Sequence, residues 1–341
     1  MKIAIIRLSA LGDIIQTSIV LQFIKKINPK ASIDWFVDER FKDLLQNHSL
    51  IDHIYALPLK DKKIQKTLAL ILKARKNHYD MILDFQGLIK SALSAKMLGS
   101  NIFGYDKVGL KEAFASNFYE YKLDISYNEN VFIRYLSLTS FAFNQEFTLQ
   151  DIKFKNPCFK ADEELKEKLS TTLKLSENQH NILIHVGSSE ENKIYPKEKL
   201  AILCKLIIDN YPESKIFLAW GNDKELKFTQ DLVAFNLIAQ NQISILPKLN
   251  LQELIAVTKI MDLIIGNDSG PTHLAFAMNK PSITIFGATP SQRNAFATPT
   301  NKIIDSGKKI PNAKYLDKSD FCISRIDEED ILKLVKELLN G

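Results

Sequence analysis

Short apolar runs alternate along the chain with segments whose apolar residues recur every three or four positions. The short runs are typical of buried strands, and they lie at 2–7, 33–37, 80–84, 181–186, 215–220, 243–246, 262–266 and 282–286. Helical spacing lies between them, at 14–27, 64–74, 197–211, 251–259 and 274–278. Because strands that alternate with helices form parallel sheets, the pattern predicts an α/β protein with doubly wound sheets.

The chain is long enough for two domains. A single hydrophobic core rarely serves more than about 250–300 residues, and this chain has 341. The clearest break is the polar stretch 144–176, so we place the boundary after residue 165 and predict domains at 1–165 and 166–341. Each half begins with a strand that leads into a glycine-containing turn, at 8–12 and 187–192. We therefore expect two similar Rossmann-like units, with ligands at the carboxyl ends of the strands and in a cleft between the units.

Composition narrows the class of protein. With 45% hydrophobic and 25% charged residues, the chain is neither disordered nor collagen-like nor a disulfide scaffold. Its three cysteines stand far apart, which argues against structural zinc and disulfides and for a reducing compartment. The first residues read as a strand rather than a signal peptide, and no apolar stretch is long enough to cross a membrane. These features predict a cytoplasmic protein.

The positive charge is concentrated in one segment, 60–76. The chain has a formal net charge of +5, whereas this segment alone has seven basic residues and one acid, so the remainder sums to −1. A broad affinity for nucleic acid is therefore not expected. On a helix, one face of the segment would be basic and the other apolar; the basic face has Lys62, Lys66, Lys73 and Lys76, and the apolar face has Ile64, Leu68, Ile71 and Leu72. The basic face is either simply solvated or a docking surface for an anionic headgroup.

The first strand runs into the motif Arg7-Leu-Ser-Ala-Leu-Gly-Asp13. Gly12 permits a tight turn, and Asp13 is predicted at the start of the following helix. A helix start keeps a carboxylate ionised, so Asp13 is a candidate general base; a plain helix cap is the alternative. The dinucleotide fingerprint GxGxxG is missing, which disfavours an NAD-dependent enzyme.

The second motif, Gly266-Asn-Asp-Ser-Gly-Pro-Thr-His-Leu-Ala275, follows a strand and opens a helix. Pro271 suits the first helical turn, and the free backbone N–H groups there form an anion site that fits a phosphate. Asp268 would repel that phosphate, so we expect it to accept hydrogen bonds from sugar hydroxyls. His273 is either a ligand contact or a histidine that packs at the helix start.

Two further loops follow strands of the second half. The loop after residue 186 contains Ser188, Ser189 and Lys193, and the lysine could neutralise a diphosphate leaving group; a solvated polar loop is the alternative. The next strand is followed by Glu225, which could bind ribose hydroxyls or could simply be an acid of a first helical turn.

Together these motifs resemble the heptosyltransferases of lipopolysaccharide core synthesis, glycosyltransferase family 9. The resemblance runs from residue 1 to about 290 and rests on segments that occur in the family's order: Ser9–Asp13 with Gln16 and Thr17, Asp84–Ser91, Lys193–Pro196, Trp220–Gly221 with Glu225, and Asn267–Leu274. Within the family, 34–39 and 246–248 are most similar to the enzyme that adds the first heptose.

The resemblance implies a GT-B fold and an inverting transfer from ADP-heptose to Kdo of Kdo-lipid A, without a metal or other cofactor. It implies that Asp13 is the general base, that Lys193 neutralises the leaving diphosphate, that Glu225 holds the ribose and that Asp268 holds the heptose. The other implied donor contacts are Ser188, Ser189, Leu249 near the adenine, Ser269, Gly270, Thr272 and His273. The implied acceptor contacts are Ser9, Ala10, Gly12, Lys60, Lys62, Lys63, Gln86, Gly87 and Lys90.

The implied partners are ADP-heptose, Kdo-lipid A and the cytoplasmic face of the inner membrane, and no nucleic acid. Two alternatives remain: transfer to a later core acceptor, and a non-catalytic protein that binds a nucleotide or a lipid headgroup on the same scaffold. The loop 187–192 is one residue longer than the family pattern, so either Ser188 or Ser189 could contact the diphosphate. No function is assigned after residue 290.

Overall fold

The computed structural model describes residues 1–59, 63–176, 178–235, 241–315 and 317–340. The chain divides into two compact units, Met1–Cys158 and Phe159–Gly341. The division falls a few residues before the predicted boundary at 165. Phe159 and Ala161 are buried, and the helix that follows them packs within the second unit. These contacts attach the segment after Cys158 to the C-terminal unit.

A six-stranded parallel sheet forms the centre of the N-terminal unit. The strands are β1 (Lys2–Ile6), β2 (Ser32–Asp38), β3 (His53–Leu57), β4 (Met81–Asp84), β5 (Ile102–Tyr105) and β6 (Tyr121–Leu123). Their order in the sheet is β3-β2-β1-β4-β5-β6, and Ile6 lies opposite both Phe36 and Asp84. The order reverses direction between β1 and β4, which is the position where sheets of this kind bind ligands.

Helices cover this sheet: α1 (Leu11–Thr17), α2 (Ile19–Ile27), α3 (Lys42–Leu45), α4 (Ile64–Arg75), α5 (Ile89–Leu98), α6 (Val131–Phe143) and α7 (Gln150–Lys153). The predicted helix at 14–27 is two helices, α1 and α2, that meet at Ser18. Helix α6 packs against α1 and α2, whereas α4 packs against α5, and α5 packs against a 3-10 helix at Ala113–Phe118.

The C-terminal unit repeats the sheet topology of the first. Its strands are β7 (Asn181–His185), β8 (Lys215–Ala219), β9 (Ile243–Ile245), β10 (Leu263–Asn267), β11 (Ser282–Phe286) and β12 (Asn301–Asp305). They are parallel in the order β12-β11-β10-β7-β8-β9. Since β7 corresponds to β1 and β10 to β4, the direction reverses between β7 and β10. Both halves are therefore Rossmann-like units, as the alternation of strands and helices predicts.

The helices of this unit are α8 (Glu163–Thr172), α9 (Lys197–Asn210), α10 (Asp223–Phe235), α11 (Leu251–Ile260), α12 (Gly270–Ala277), α13 (Ser291–Asn294) and α14 (Glu328–Leu339). Helix α14 packs against α9 and buries Ile331, Leu332 and Val335 in the core. All three cysteines are buried and unpaired. In the described part of the chain, no helix has the length and apolar character that crossing a membrane requires.

Candidate functional site

The motif 7–13 places an ion pair at the carboxyl end of β1. Arg7 is buried, with 6% of its surface exposed, and it donates a hydrogen bond to the carbonyl oxygen of Phe85 at 2.7 Å. Its second terminal nitrogen lies 2.6 Å from Oδ1 of Asp13, whose side chain is 43% exposed. Burial lowers the pKa of the Arg7 guanidinium, but the Asp13 carboxylate together with Tyr135, Tyr105 and Asp84 outweighs it, so that the pKa is raised. The ion pair with Arg7 thus fixes the position of one carboxylate oxygen of Asp13.

Asp13 is the third residue of α1, and Ala10 is the residue that caps the helix. The second oxygen of Asp13 accepts a hydrogen bond from the backbone N–H of Ala10 at 3.1 Å. Gly12 lies inside α1, so the expectation that it forms the turn is wrong. The helix begins at Leu11, one residue before Gly12 and three residues before the predicted start at 14, because the chain turns at 7–10. Asp13 therefore has a capping contact and an ion pair, and it still reaches solvent.

Gln86, in the loop after the neighbouring strand β4, fixes the same turn. Its Oε1 accepts hydrogen bonds from the backbone N–H groups of Leu8 (2.7 Å) and Ser9 (3.1 Å), and its Nε2 lies 3.3 Å from Oγ of Ser9. Asp84 is fully buried and organises the loop after β4 by accepting from the backbone of Gln86 and Gly87. The amide of Gln86 is thus occupied within the protein, and it positions the turn.

Of the other predicted acceptor residues, Gly87 lies in the loop after β4 and Lys90 lies just beyond it. Gly87 has a φ of +67°, and a Cβ there would lie 2.4 Å from the side chain of Leu110. Lys90 is exposed in the first turn of α5, and Lys63 precedes α4. Lys60 and Lys62 lie outside the described residues.

Helix α4 does not bury the apolar face that its sequence predicts. Ile71 is buried, but Ile64, Leu68 and Leu72 are 67%, 37% and 50% exposed. These three side chains share the predicted apolar face, but most of that face is left uncovered. The reason is that α4 packs beside the edge strand β3, so the sheet covers only part of the helix.

In the C-terminal unit, β10 ends in a buried carboxylate that binds several partners. Asp268 is 5% exposed; its Oδ2 lies 2.8 Å from Nζ of Lys193, and its Oδ1 lies 3.0 Å from Nε2 of His273. Thr289 donates to Oδ2 at 2.8 Å. Burial raises the pKa of Asp268, but Lys193 and His273 outweigh it, so that the pKa lies well below its usual value. Asp268 is therefore a permanent anion that holds Lys193 and His273 in place.

Helix α12 begins immediately after this carboxylate. Ser269 is its capping residue, and the buried Oγ of Ser269 has no hydrogen-bond partner among the described residues. Pro271 lies in the first turn, as the sequence predicts. The hydroxyl of Thr272 is within hydrogen-bond distance of the carbonyl oxygens of Asn267 (2.8 Å) and Ser269 (2.9 Å). The side chain of Thr272 therefore points inward, and this residue offers only its backbone at the helix start. The N–H groups of this turn are the ones for which the sequence predicts anion binding, and that binding stays a prediction.

Ser188 and Ser189 lie in the loop after β7, and the structure distinguishes them. Ser188 donates its hydroxyl to the carbonyl oxygen of Asp268 at 2.9 Å, whereas no hydrogen bond to a described residue engages Ser189, which is exposed. Both line a pocket of about 460 Å³ whose wall also includes Asn222, Glu225, Lys318 and Phe321.

Glu225 lies in the first turn of α10, where its two oxygens accept from the backbone N–H of Gly221 (2.6 Å) and from the amide of Asn222 (2.7 Å). Its carboxylate occupies the space in front of Gly187, where a Cβ would lie 2.2 Å from it. A side chain at position 187 would therefore clash with the Glu225 carboxylate. Burial lowers the pKa of the adjacent His185, and the charge of Glu225 opposes that change.

Leu249 is half-buried in the loop between β9 and α11. Beside it, Trp220 donates its indole N–H to the carbonyl oxygen of Leu246 at 2.7 Å, and Nζ of Lys248 lies 6.0 Å from the centre of the indole ring. Trp220 follows β8 and Leu249 follows β9, the neighbouring strand, and these two side chains are together called the apolar edge. No three His, Cys, Asp or Glu side chains group as metal ligands in the described ranges.

Arg7, Thr289 and Trp220 are site residues to which the sequence analysis gives no role. Both Arg7 and Trp220 lie in predicted motifs, but Arg7 also binds the carbonyl group of Phe85 and Trp220 binds that of Leu246, and both partners are distant in sequence. Thr289 lies three residues after the end of β11, and this position near the carboxyl end of a strand is the signal that could have indicated it.

Comparison with known proteins finds a matching family and several similar chains. Residues 67–321 match the model of the family "Glycosyltransferase family 9 (heptosyltransferase)". The chain is 65% identical, over 99% of both chains, to lipopolysaccharide heptosyltransferase 1 of Campylobacter coli. It is 24% identical to the protein of that name from Escherichia coli K12, over 85% of this chain and 88% of the relative.

Solved structures show the same fold. The E. coli heptosyltransferase WaaC with ADP superposes with a TM-score of 0.78 at 20% identity, over 99% of this chain and all of the other. E. coli ADP-heptose lps heptosyltransferase II gives 0.75 at 20% identity, over the full length of both chains. These similarities confirm the predicted fold class, GT-B.

Proposed function

Since the chain belongs to glycosyltransferase family 9, the heptosyltransferases, we propose that it transfers heptose from ADP-heptose to a Kdo hydroxyl of Kdo-lipid A. The choice of this acceptor is supported by the 65% identical relative, which is named lipopolysaccharide heptosyltransferase 1. The observation that supports the mechanism is a solvent-accessible carboxylate, Asp13, at the switch point of the N-terminal sheet, with its orientation fixed by buried Arg7.

Asp13 acts as the general base on the acceptor. One of its oxygens is bound to Arg7 and the other to the N–H of Ala10, so the carboxylate has one orientation, and its 43% exposure leaves it accessible to a substrate hydroxyl. A carboxylate that is held in this way and is open to solvent can accept the proton of a substrate hydroxyl. Gln86 fixes the turn that carries Ser9 and Ala10, and we assign this part of the unit to the Kdo sugar.

The donor is assigned to the C-terminal unit. The start of α12 and the ammonium of Lys193 bind the diphosphate, where a positive field is available at the end of β10. Glu225 binds the ribose hydroxyls, and the edge formed by Trp220 and Leu249 contacts the adenine. The contact of Asp268 with the heptose stays a prediction, because its oxygens already bind Lys193, His273 and Thr289.

The reaction is a single displacement. Asp13 takes the proton of the Kdo hydroxyl, and the oxygen attacks the anomeric carbon from the side opposite to the diphosphate. The bond between that carbon and the diphosphate oxygen breaks, and ADP leaves with the electron pair, which inverts the anomeric centre. Lys193 and the start of α12 stabilise the charge that develops on the diphosphate. We expect no metal ion to be needed, because these groups supply the positive charge.

The location of the enzyme is also a proposal. We expect it to act in the cytoplasm on an acceptor held at the face of the inner membrane. The basic segment 60–76 supports this, because Kdo-lipid A carries carboxylates and phosphates that would attract it. Lys66, Lys73 and Lys76 are exposed on the described part of this segment.

The test is to measure ADP release from ADP-heptose with three acceptors: none, Kdo-lipid A, and Kdo-lipid A that already carries heptose. We expect release only with Kdo-lipid A, together with a product heavier by one heptose in mass spectrometry. Release only with the heptosylated acceptor would show a heptosyltransferase that acts later in core synthesis. ADP release at the same rate without any acceptor would contradict the transfer reaction.

A further inference from the structure

Exposed apolar side chains lie on three neighbouring elements in one layer of the N-terminal unit. In α4 they are Ile64, Leu68 and Leu72, which follow each other at intervals of four residues and thus form one line along the helix. Helix α5, which packs against α4, adds Ile89 and Leu93, 36% and 45% exposed. Five large aliphatic side chains on two packed helices are thus left uncovered.

The segment 107–118 continues this surface. Val108 is 58% exposed and Phe114 is 60% exposed, and the Phe114 ring makes an edge contact with Phe118 at 5.9 Å between centres. The carboxylate of Glu112 accepts a hydrogen bond from the backbone N–H of Ile89 at 2.7 Å, which ties this segment to the first turn of α5. The apolar side chains of α4, α5 and 107–118 therefore form one surface, called here the apolar rim.

Lysines accompany the apolar rim on each element: Lys66 on α4, Lys90 on α5, and Lys107 and Lys111 on the segment that follows β5. Across the described residues, none of these four has an ion-pair partner. Two acids lie nearby in sequence: Glu112, which accepts from the N–H of Ile89, and Asp106, which accepts from the N–H of Gly109 at 3.0 Å. The four lysines exceed these two acids by two positive charges. The surface is therefore apolar and positively charged at the same time.

We propose that the apolar rim docks on an anionic lipid bilayer, with its aliphatic and aromatic side chains among the acyl chains and its lysines at the headgroups. This pairing of apolar side chains with lysines is the signature of an interfacial surface, and anionic headgroups supply the opposite charge. A neutral protein partner would not need the lysines, and a nucleic acid would not need Phe114 and Val108. The choice of a membrane rests on the proposed function, whose acceptor is a lipid.

The position of the apolar rim fits this role. The starts of α4 and α5 and the segment after β5 all follow the carboxyl ends of strands, and Asp13 follows the carboxyl end of β1. Because the strands are parallel, these ends lie at one edge of the sheet. Docking at this edge brings the base to the side of the unit where a lipid-linked hydroxyl is available.

Vesicle sedimentation tests the proposal with the full-length protein. We expect binding to vesicles of phosphatidylethanolamine and phosphatidylglycerol, weakened by salt, and little binding to phosphatidylcholine. Two double variants, Val108→Ser with Phe114→Ser and Lys107→Glu with Lys111→Glu, should each weaken binding at least about tenfold. The matched controls are Phe154→Ser, at a side chain 78% exposed outside the apolar rim, and Lys30→Glu, on the loop before β2; both should bind as the unmodified protein does.

Three results would overturn the proposal. The first is that the unmodified protein does not bind anionic vesicles, and the second is that the double variants bind like the controls while thermal unfolding shows all of them folded. The third is that the protein is a dimer in sedimentation equilibrium and that the Val108 and Phe114 substitutions dissociate it, which would assign the apolar rim to self-association. Transfer of heptose to a water-soluble, deacylated Kdo acceptor tests catalysis without membrane docking. The double variants should catalyse this transfer as the unmodified protein does. If the unmodified protein does not catalyse it, the result contradicts the proposed function but not the docking proposal.

Discussion

Replacing Gly187 by alanine tests the role of Glu225 without removing the carboxylate. The methyl group added at Gly187 would lie 2.2 Å from the Glu225 carboxylate, whereas ordinary contacts begin at 3.4 Å. The carboxylate must therefore move by about 1.2 Å. Because it is the far end of a flexible side chain, it can move, and Gly187 does not have the positive φ that would forbid alanine. We expect a folded protein with a displaced carboxylate.

The magnitude follows from the bonds that the displacement breaks. In its present position Glu225 accepts from the N–H of Gly221 at 2.6 Å and from Asn222 at 2.7 Å, and these two bonds aim it at the proposed ribose site. A hydrogen bond to a charged group contributes about 1.5–3 kcal/mol. The loss of one such bond to the ribose weakens donor binding about tenfold to a hundredfold.

Gly221→Ala is the matched control. Its added methyl group would lie 3.5 Å from the same carboxylate, which is an ordinary contact. Calorimetric titration with ADP should therefore give native affinity for Gly221→Ala and the weakened affinity for Gly187→Ala, with similar thermal unfolding for both. Equal ADP affinity of the two variants would refute the placement of Glu225 at the ribose.

Four further predictions concern the ion pairs and the basic segment. Asp13→Asn should reduce transfer by about a hundredfold or more while ADP binding, measured by calorimetry, stays unchanged; near-normal transfer would exclude Asp13 as the base. Arg7→Met should lower kcat and leave the KM for ADP-heptose unchanged, and Arg7→Lys should restore part of kcat; a raised donor KM would contradict a role limited to Asp13. Asp268→Asn leaves the Lys193 charge buried and should lower the free energy of unfolding by about 3 kcal/mol at pH 7. Since the pKa of Asp268 is lowered in the folded state, this penalty should be complete above the ordinary carboxyl value of 3.8 and should shrink as denaturant titrations are taken below it; a penalty that does not depend on pH would refute the ion pair. Lys66→Glu should raise the KM for Kdo-lipid A but not for ADP-heptose, and an unchanged acceptor KM would make the basic face of α4 a solvated surface.

The central strands could be predicted from sequence because parallel strands are buried on both faces and are therefore continuously apolar. This holds for β1, β2, β7 and β10. It fails for β3 and β6, which lie at the edges of the sheets or are short, and whose side chains are partly exposed. β6 has no continuous apolar run and β3 has only the four residues 54–57, three of which are partly exposed, so the pairing with a neighbour defines both strands. The same edge position leaves the apolar side chains of α4 uncovered.

The candidate site was predictable where a residue type is needed at a fixed place along the chain, as for Asp13 after β1 and Pro271 at the start of α12. It was not predictable where the function depends on a contact across the sheet. The ion pair of Arg7 is set by the carbonyl group of Phe85, which is 78 positions away. The inward hydroxyl of Thr272 depends on the turn geometry, which its residue type does not reveal.

The two units show how one topology supports two kinds of chemistry. Each has a carboxylate bound to a cation near its switch point: Asp13 with Arg7 at 2.6 Å, and Asp268 with Lys193 at 2.8 Å. The two pairs differ in how far the carboxylate is exposed. In the first pair the cation is buried and the carboxylate is 43% exposed, so the anion can meet a substrate hydroxyl. In the second the carboxylate is only 5% exposed, so it can orient Lys193 but cannot readily exchange protons with a substrate. This difference in exposure is why we propose the exposed carboxylate, Asp13, as the base and assign to the buried one, Asp268, the positioning of Lys193.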